Sequence, residues 1–292
     1  MSLLQAILMG LIQGLTEFLP VSSSGHLALF KLMFGVETDT GILYDVLLHV
    51  GTLAAVCVVY YRDILKLIIA GCGVLRDAFV NVVIFVRNKT KKEDEPYRNV
   101  VNSGYRKFAM LILVSTIPTG IIGFFGRDVV SMASEILIVP GICLIVTSVL
   151  LFVADHIRDG GKLPKSVTYT NAFGVGIVQG IATLPGLSRS GATVTACLAF
   201  GYQRSFAVKY SFLMSIPAIL GALILELTEL PGTQVAPMEV VYYIVGMLVA
   251  AVVGYISIKT MLIVVRKKKF TVFAIYCLLV GALSIGGYFY MA

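Results

Sequence analysis

The sequence predicts an all-α polytopic membrane protein: six transmembrane helices and two re-entrant helix–loop–helix hairpins in an inverted-topology repeat. Three observations carry that reading. The 292 residues are 58% hydrophobic and 13% charged, about half the charged share of a soluble domain, and the mean hydropathy is +0.92. The apolar runs are of two kinds, plain ones that can span a bilayer and two glycine-rich ones broken by polar residues. Broken backbone at membrane depth is tolerated only where protein buries it or it lines a cavity. The two broken runs also match each other, Gly10-Leu-Ile-Gln13-Gly14-Leu aligning with Gly176-Ile-Val-Gln179-Gly180-Ile.

The first broken run covers residues 2–34, where Gly10, Gly14, Pro20 and Gly25 argue for a helix, a loop and a second helix. Residues 46–61 carry no charge and form the first span, closed by Arg62-Asp63. From 64 to 86 the charges recur on one face, as in an interfacial helix, and the uncharged run 67–75 is too short to cross. Residues 88–107 are the one hydrophilic stretch, rich in Lys and Arg. Spans follow at 108–125 and 136–154, then the second broken run at 172–200. The last three spans are 212–225, 240–258 and 270–290.

Basic residues concentrate at 62–107, 158–165 and 259–269, so these loops are expected on the cytoplasmic side. Six spans then put both chain ends, and the loop containing Glu226, Glu229 and Glu239, on the outer side. Each half reads as one hairpin and three spans, about 1–155 and 166–292, within a single integral-membrane domain. An odd number of spans inverts the second half relative to the first, the arrangement in which sites form between repeats. Leu19-Pro20 aligns with Leu184-Pro185 after one residue of slippage, which pairs Ser23 with Ser188.

The net charge of +7 is accounted for by cytoplasmic loops, and no nucleic acid is expected. The five cysteines lie in apolar runs without metal-ligand spacing, so they are expected to be small core residues. The N-terminus has no basic region before its apolar run, which argues against a cleaved signal peptide.

The chemistry is crowded into the two hairpins. In the first, Gln13 and Glu17 are four residues apart and share a helix face. A carboxylate and an amide oxygen suit a hard cation, Mg2+ or Ca2+, that completes its shell with water and phosphate. Ser22, Ser23 and Ser24 offer a nucleophile or phosphate donors, and His26 an acid or base. In the second, Arg189 is a guanidinium in an apolar segment, flanked by Ser188, Ser190 and Thr193. Its fork suits phosphate oxygens; the competing reading is a structural ion pair with Glu17. Ser after Pro, before an apolar run, also reads as a helix N-cap in both hairpins. Two such helix N-termini meeting would form an anion cradle. Asp45 and His49, one turn apart at the outer start of the first span, read as an interfacial structural pair, and His156 as a solvated cap.

Gln13-x-x-x-Glu17, Pro20-Val-Ser-Ser-Ser-Gly-His26 and Pro185-Gly-Leu-Ser-Arg-Ser-Gly-Ala-Thr193 resemble the undecaprenyl-diphosphate phosphatase (bacitracin-resistance) family of bacteria. Asp45-Val-Leu-Leu-His-Val-Gly-Thr52 and Ser211-Phe-Leu-Met-Ser-Ile-Pro217 are similar to that family too, so the resemblance covers nearly the whole chain. It implies removal of the terminal phosphate of undecaprenyl diphosphate, which recycles the lipid carrier of cell-wall synthesis. By the same resemblance Gln13 and Glu17 bind metal, Ser23 and His26 are catalytic, and Arg189 binds phosphate. Gln at the first metal position departs from a two-carboxylate site. Ser24-Gly25-His26 and Ser188-Arg189 also resemble the type 2 phosphatidate phosphatases, but those need a further His where this chain has Thr195.

The expected protein is thus an enzyme of the bacterial plasma membrane with its site open to the outer face. Its partners are a polyprenyl diphosphate, membrane lipids and, as a candidate, a second copy of the chain. Ser22, Ser24, Ser188, Ser190 and Thr193 are the expected substrate-binding hydroxyls. The alternative is a transporter or flippase of a phosphorylated polyprenyl lipid, since broken helices in inverted repeats also build transporters.

Overall fold

The computed structural model describes residues 1–36, 41–91, 94–136, 138–227 and 236–291, so Glu229 of the expected outer loop lies outside the described residues. The described residues form twelve α-helices, one 3-10 turn and no β-strand. They are α1 (Leu3–Phe18), α2 (Ser23–Phe34), α3 (Gly41–Val59), α4 (Tyr61–Lys91), α5 (Gly104–Phe125) and α6 (Arg127–Glu135), then α7 (Ile138–His156), α8 (Tyr169–Ile181), α9 (Arg189–Ala199), α10 (Arg204–Leu227), α11 (Pro237–Arg266) and α12 (Phe270–Met291). Six helical stretches are long and apolar enough to cross a membrane; five contain an expected span whole, and the sixth, Ile138–His156, covers all but the first two residues of the span expected at 136–154.

The helices outrun the hydropathy. The span expected at 240–258 is the middle of a 30-residue helix, and α10 begins at Arg204, eight residues before its apolar run. Backbone hydrogen bonding continues into water until a cap or breaker stops it. The charged ends then tie together. Asp159 pairs with Arg204 and, at 3.2 Å, with Lys268. Asp155 accepts from the backbone N–H groups of Phe270 (3.0 Å) and Thr271 (2.7 Å), capping the start of α12. His156 is exposed at the end of α7, as expected of a solvated cap.

α1 is capped by Ser2, whose hydroxyl takes the Gln5 N–H while the Gln5 side chain takes the Ser2 N–H. It has 16 residues and α2 has 12, roughly 24 and 18 Å at 1.5 Å per residue, each short of a bilayer. α1 packs on α11, and α8 packs on α5. Glycine makes both contacts close: a Cβ on Gly10 would lie 2.4 Å from the Gly246 carbonyl oxygen, and one on Gly176 2.1 Å from that of Ser115. Gly14 and Gly180 repeat the contact one turn on, against Val253 and Ile122. This is small-xxx-small packing, which lets helices without a hydrophobic drive between them gain dispersion energy. Two of the cysteines, Cys57 and Cys72, are exposed rather than in the core; both lie on the apolar outer surface.

Candidate active site

The loops of the two short-helix pairs meet. A Cβ on Gly25 would sit 2.9 Å from the Gly186 Cα, and one on Gly191 3.3 Å from the Pro20 Cβ. The starts of α2 and α9 are thereby brought together. Each is capped by a serine: Ser22 Oγ accepts from the Gly25 N–H at 3.4 Å, and Ser188 Oγ from the Gly191 N–H at 3.1 Å. Each cap hydroxyl is 3.3 Å from that of the serine two residues on, Ser24 and Ser190. The capping therefore matches Ser22 to Ser188 and Ser23 to Arg189. The pairing of Ser23 with Ser188 expected from the aligned prolines is corrected by one residue, because the cap and not the proline fixes the helix start. Ser22 also holds a positive φ of 70°, a conformation costing a non-glycine residue about 1–3 kcal/mol.

Glu17, 6% exposed, is the point where these elements converge. Its Oε1 accepts from Arg189 Nη2 at 2.5 Å. Its Oε2 accepts from Ser23 Oγ at 2.6 Å and from Gln13 Nε2 at 3.0 Å. The ion pair weighed from the sequence is thus present, and it is made together with the serine contact. Only one guanidinium nitrogen is engaged by the carboxylate, and Arg189 remains half-buried. Gln13 is fully buried and its Oε1 has no hydrogen-bond partner. A lone buried acceptor of this kind normally costs about 1–3 kcal/mol.

The two histidines depart from expectation. His26 makes no hydrogen bond to Glu17 or Ser23. Its Nδ1 lies 2.8 Å from the Ser22 carbonyl and its Nε2 2.8 Å from the Tyr276 hydroxyl, with the two rings stacked. A carbonyl only accepts, so Nδ1 carries the hydrogen and, in the neutral ring, Nε2 accepts from Tyr276. His49 does not form the expected side-chain pair with Asp45, whose carboxylate takes Lys31 at 2.5 Å. The His49 Nδ1 instead donates to the Asp45 carbonyl at 2.8 Å, which turns Nε2 to within 3.9 Å of Glu17 Oε2. His49 is the residue that sequence reasoning left out of the site. The signal was present in the Asp45-x-x-x-His49-x-Gly-Thr52 motif, where a local partner for the imidazole hid a second, outward-facing nitrogen.

Of the remaining hydroxyls, Ser190 reaches the Leu19 carbonyl at 3.5 Å and bridges the two loops. Thr193 turns away: its Oγ1 donates to the Arg189 carbonyl at 2.8 Å and meets Ser211 Oγ at 2.6 Å, fully buried between α9 and α10. A carboxylate, a hydroxyl, a guanidinium and an imidazole nitrogen so placed beside two helix N-termini suit phosphoryl transfer.

Comparison with known proteins gives the same direction. The sequence model of the family described as "Bacitracin resistance protein BacA" matches residues 6–283. The chain is 41% identical over 279 residues to the undecaprenyl-diphosphatase of Desulfatibacillum aliphaticivorans, covering 96% of each chain. It is 38% identical to that of Alkaliphilus metalliredigens (strain QYMF) and 35% to that of Methanosphaera stadtmanae, each over 285 residues and 98% of both chains.

Proposed function

The chain belongs to the bacitracin resistance protein BacA family, and from that membership and its site we infer that it hydrolyses undecaprenyl diphosphate to undecaprenyl phosphate and phosphate. The protein is a membrane-embedded phosphatase, and its activity fits the bacitracin resistance for which the family is named. The observation that best supports this reading is the meeting of Ser23 and Arg189, one from each short-helix pair, on the two oxygens of Glu17.

In the proposed mechanism Ser23 Oγ, oriented by Glu17, is the attacking group or holds the attacking water. The N–H groups of Arg189 turned away from Glu17 take the transferring phosphoryl oxygens, and the first-turn N–H groups of α2 and α9 add positive potential. His49 Nε2 is the imidazole nitrogen nearest the Ser23–Glu17 pair and would move the proton. His26 anchors the loop, and its own part in proton transfer requires Nε2 to be released from Tyr276. Ser24 and Ser190 are the hydroxyls best placed to bind phosphate, while Ser22 and Ser188 act as caps.

Gln13 and Glu17 would hold Mg2+ or Ca2+. The fit rests on the orphaned Gln13 Oε1: turning that amide over places an oxygen about 3 Å from Glu17 Oε2, an arrangement that a hard cation relieves. The ion would supply charge neutralisation for the diphosphate. The test is phosphate release from a polyprenyl diphosphate by the purified protein. Release that stops in excess chelator and returns with added Mg2+ or Ca2+ is expected; full activity in chelator removes the metal. Lipid translocation without phosphate release would favour a flippase.

The two short-helix pairs are proposed as re-entrant hairpins of an inverted repeat, about 1–155 and 166–292, in one domain. Supporting this, the matched glycines of α1 and α8 each pack on the middle span of the other half, α11 and α5. The basic loops then face the cytoplasm and the site opens to the outer face of the plasma membrane. Lys91→Cys, in a background lacking the exposed Cys57 and Cys72, is expected to resist an impermeant thiol reagent in intact cells. Ready labelling would reverse the orientation. A homodimer is compatible with this arrangement and is tested by the protein's mass in detergent.

A further inference from the structure

α4 carries two stripes on opposite sides. On one, Ala70, Val74, Asp77 and Ile84 are buried, facing the start of α5 and the segment 94–103 that runs back along the helix. That segment is strapped down by side chains of the same stripe. Asn81 pairs both backbone groups of Arg98 (2.9 and 2.7 Å), Asn88 both of Glu95 (3.0 and 3.0 Å), and Asp77 takes Arg106 at 2.6 Å. The side of α4 that carries Asp77, Asn81 and Asn88 is therefore covered by its own chain.

The other stripe is apolar and open. Leu65, Ile68, Leu75, Phe79, Val82 and Val86 recur at helical spacing and are each between 51% and 72% exposed. The neighbours of this stripe, Ile69 and Phe85, are exposed and apolar too. A two-stranded coiled-coil seam is narrower and has charged flanks; this face is wider, as in a helix lying on a membrane. It is also continuous with the outer surface of a span. Ile68 and Leu75 share a cavity of about 370 Å³ with Met110 and Leu113 of α5, which in turn line a groove of about 690 Å³ running on to Ile121.

One border of the stripe is basic. At about 100° per residue, Arg62, Lys66, Arg76, Arg87 and Lys91 fall within roughly a quarter-turn of each other, and all are exposed. Their local partners leave the charges at the surface: Arg62 on the Tyr61 hydroxyl, Lys66 over the Tyr105 ring, Arg76 on Asp77, Arg87 on Glu95. We propose that α4 lies in the plane of the membrane surface, its open stripe among acyl chains and its basic border on the headgroups of anionic phospholipids. Long basic side chains beside an apolar face reach headgroups while their stems stay in the apolar layer. The strap at 94–103 then forms the water-facing cover. This inference is independent of the hydrolytic reading, since it involves no residue of the site.

The chain contains no tryptophan, so Phe79→Trp supplies a single tryptophan on the stripe, excited selectively over the tyrosines. The full-length variant would be reconstituted in vesicles containing equal mole fractions of anionic and zwitterionic phospholipid, with bromine on the acyl chains of one or the other. Quenching by both is expected, about twofold or more stronger with the anionic lipid brominated. Combining it with Lys66→Ser, Arg76→Ser and Arg87→Ser should bring the two equal while zwitterionic quenching and phosphate release persist. Equal quenching before those changes would overturn the anionic preference, and absence of quenching would overturn the in-plane helix, leaving a protein surface such as a second copy as its cover. Loss of phosphate release in the combined variant would be read instead with Lys66→Ser and Arg87→Ser alone, which spare the Asp77 contact; an unchanged ratio there counts against the proposal.

Discussion

Replacing Glu17 by alanine is expected to lower phosphate release by a thousandfold or more, within the range spanned by loss of acid–base or preorganising groups (about 10²–10⁴). The carboxylate is where three contributions converge: it orients Ser23, sets the pose of Arg189 and is the proposed anionic ligand of the metal. Removing it also leaves a half-buried guanidinium without its partner, and breaking a buried pair from one side costs about 3–5 kcal/mol. A lower melting temperature is therefore expected alongside the lost activity, with the low end of that range because Arg189 is 21% exposed. Glu17→Gln separates the two effects. It keeps an acceptor for Ser23 but loses the charge, so it should fold closer to normal and still be nearly inactive. Wild-type turnover in Glu17→Gln would eliminate the carboxylate from the mechanism. His49→Ala, which removes the imidazole but leaves both oxygens of Glu17 occupied, is expected to cost less, about ten- to a hundredfold. Gln13→Glu should retain or raise activity by restoring a second carboxylate, with the cation holding the two acids together in place of the lost Gln13 Nε2 hydrogen bond.

How much of this was legible follows from which interactions are local. The six spans were readable because hydropathy reports burial in lipid directly, residue by residue. The helix ends were not, because Arg204 and Lys209 extend α10 through hydrogen bonds and ion pairs that hydropathy does not count; Lys209 reaches Asp63 at 2.7 Å, from a distant part of the chain. The meeting of Glu17 and Arg189 was legible only as the competing reading, since a guanidinium in an apolar segment is satisfied by a carboxylate or by a phosphate ligand alike. The placement of His49 was not, because a histidine one turn after an aspartate looks satisfied. In the fold Asp45 gives its carboxylate to Lys31 and lends His49 only its carbonyl. The extended α4 was half legible: its charge spacing put the charged residues on one side of the helix, but the strap depends on Asn81 and Asn88 reading backbone groups seven to seventeen residues away.

The three consecutive serines give the sharpest test of the site, because the structure assigns them different partners. Ser22 Oγ caps α2, and its carbonyl holds His26. Ser24 is exposed and touches only Ser22 among the hydroxyls. Ser23 alone reaches Glu17, and the cap register puts it opposite Arg189 rather than opposite Ser188. Ser23→Ala is therefore expected to reduce turnover at least about a hundredfold, with a stability loss of about 1.5–3 kcal/mol for its hydrogen bond to the Glu17 carboxylate. Ser22→Ala should lose a comparable amount of stability with its cap, about 0.5–2 kcal/mol, while turnover falls far less. Ser22→Gly should recover part of that loss, because glycine accepts the positive φ without strain. Ser24→Ala should change neither by much, beyond a weaker KM if its hydroxyl meets phosphate. Turnover of each purified variant at saturating lipid and metal, read beside its melting curve, distinguishes these outcomes. Near-normal turnover in Ser23→Ala with loss in Ser22→Ala would move the nucleophile one residue back, into the strained cap. If none of the three matters, the attacking oxygen is not a serine's, and the contact between Ser23 and Glu17 serves only to fix the carboxylate that activates water.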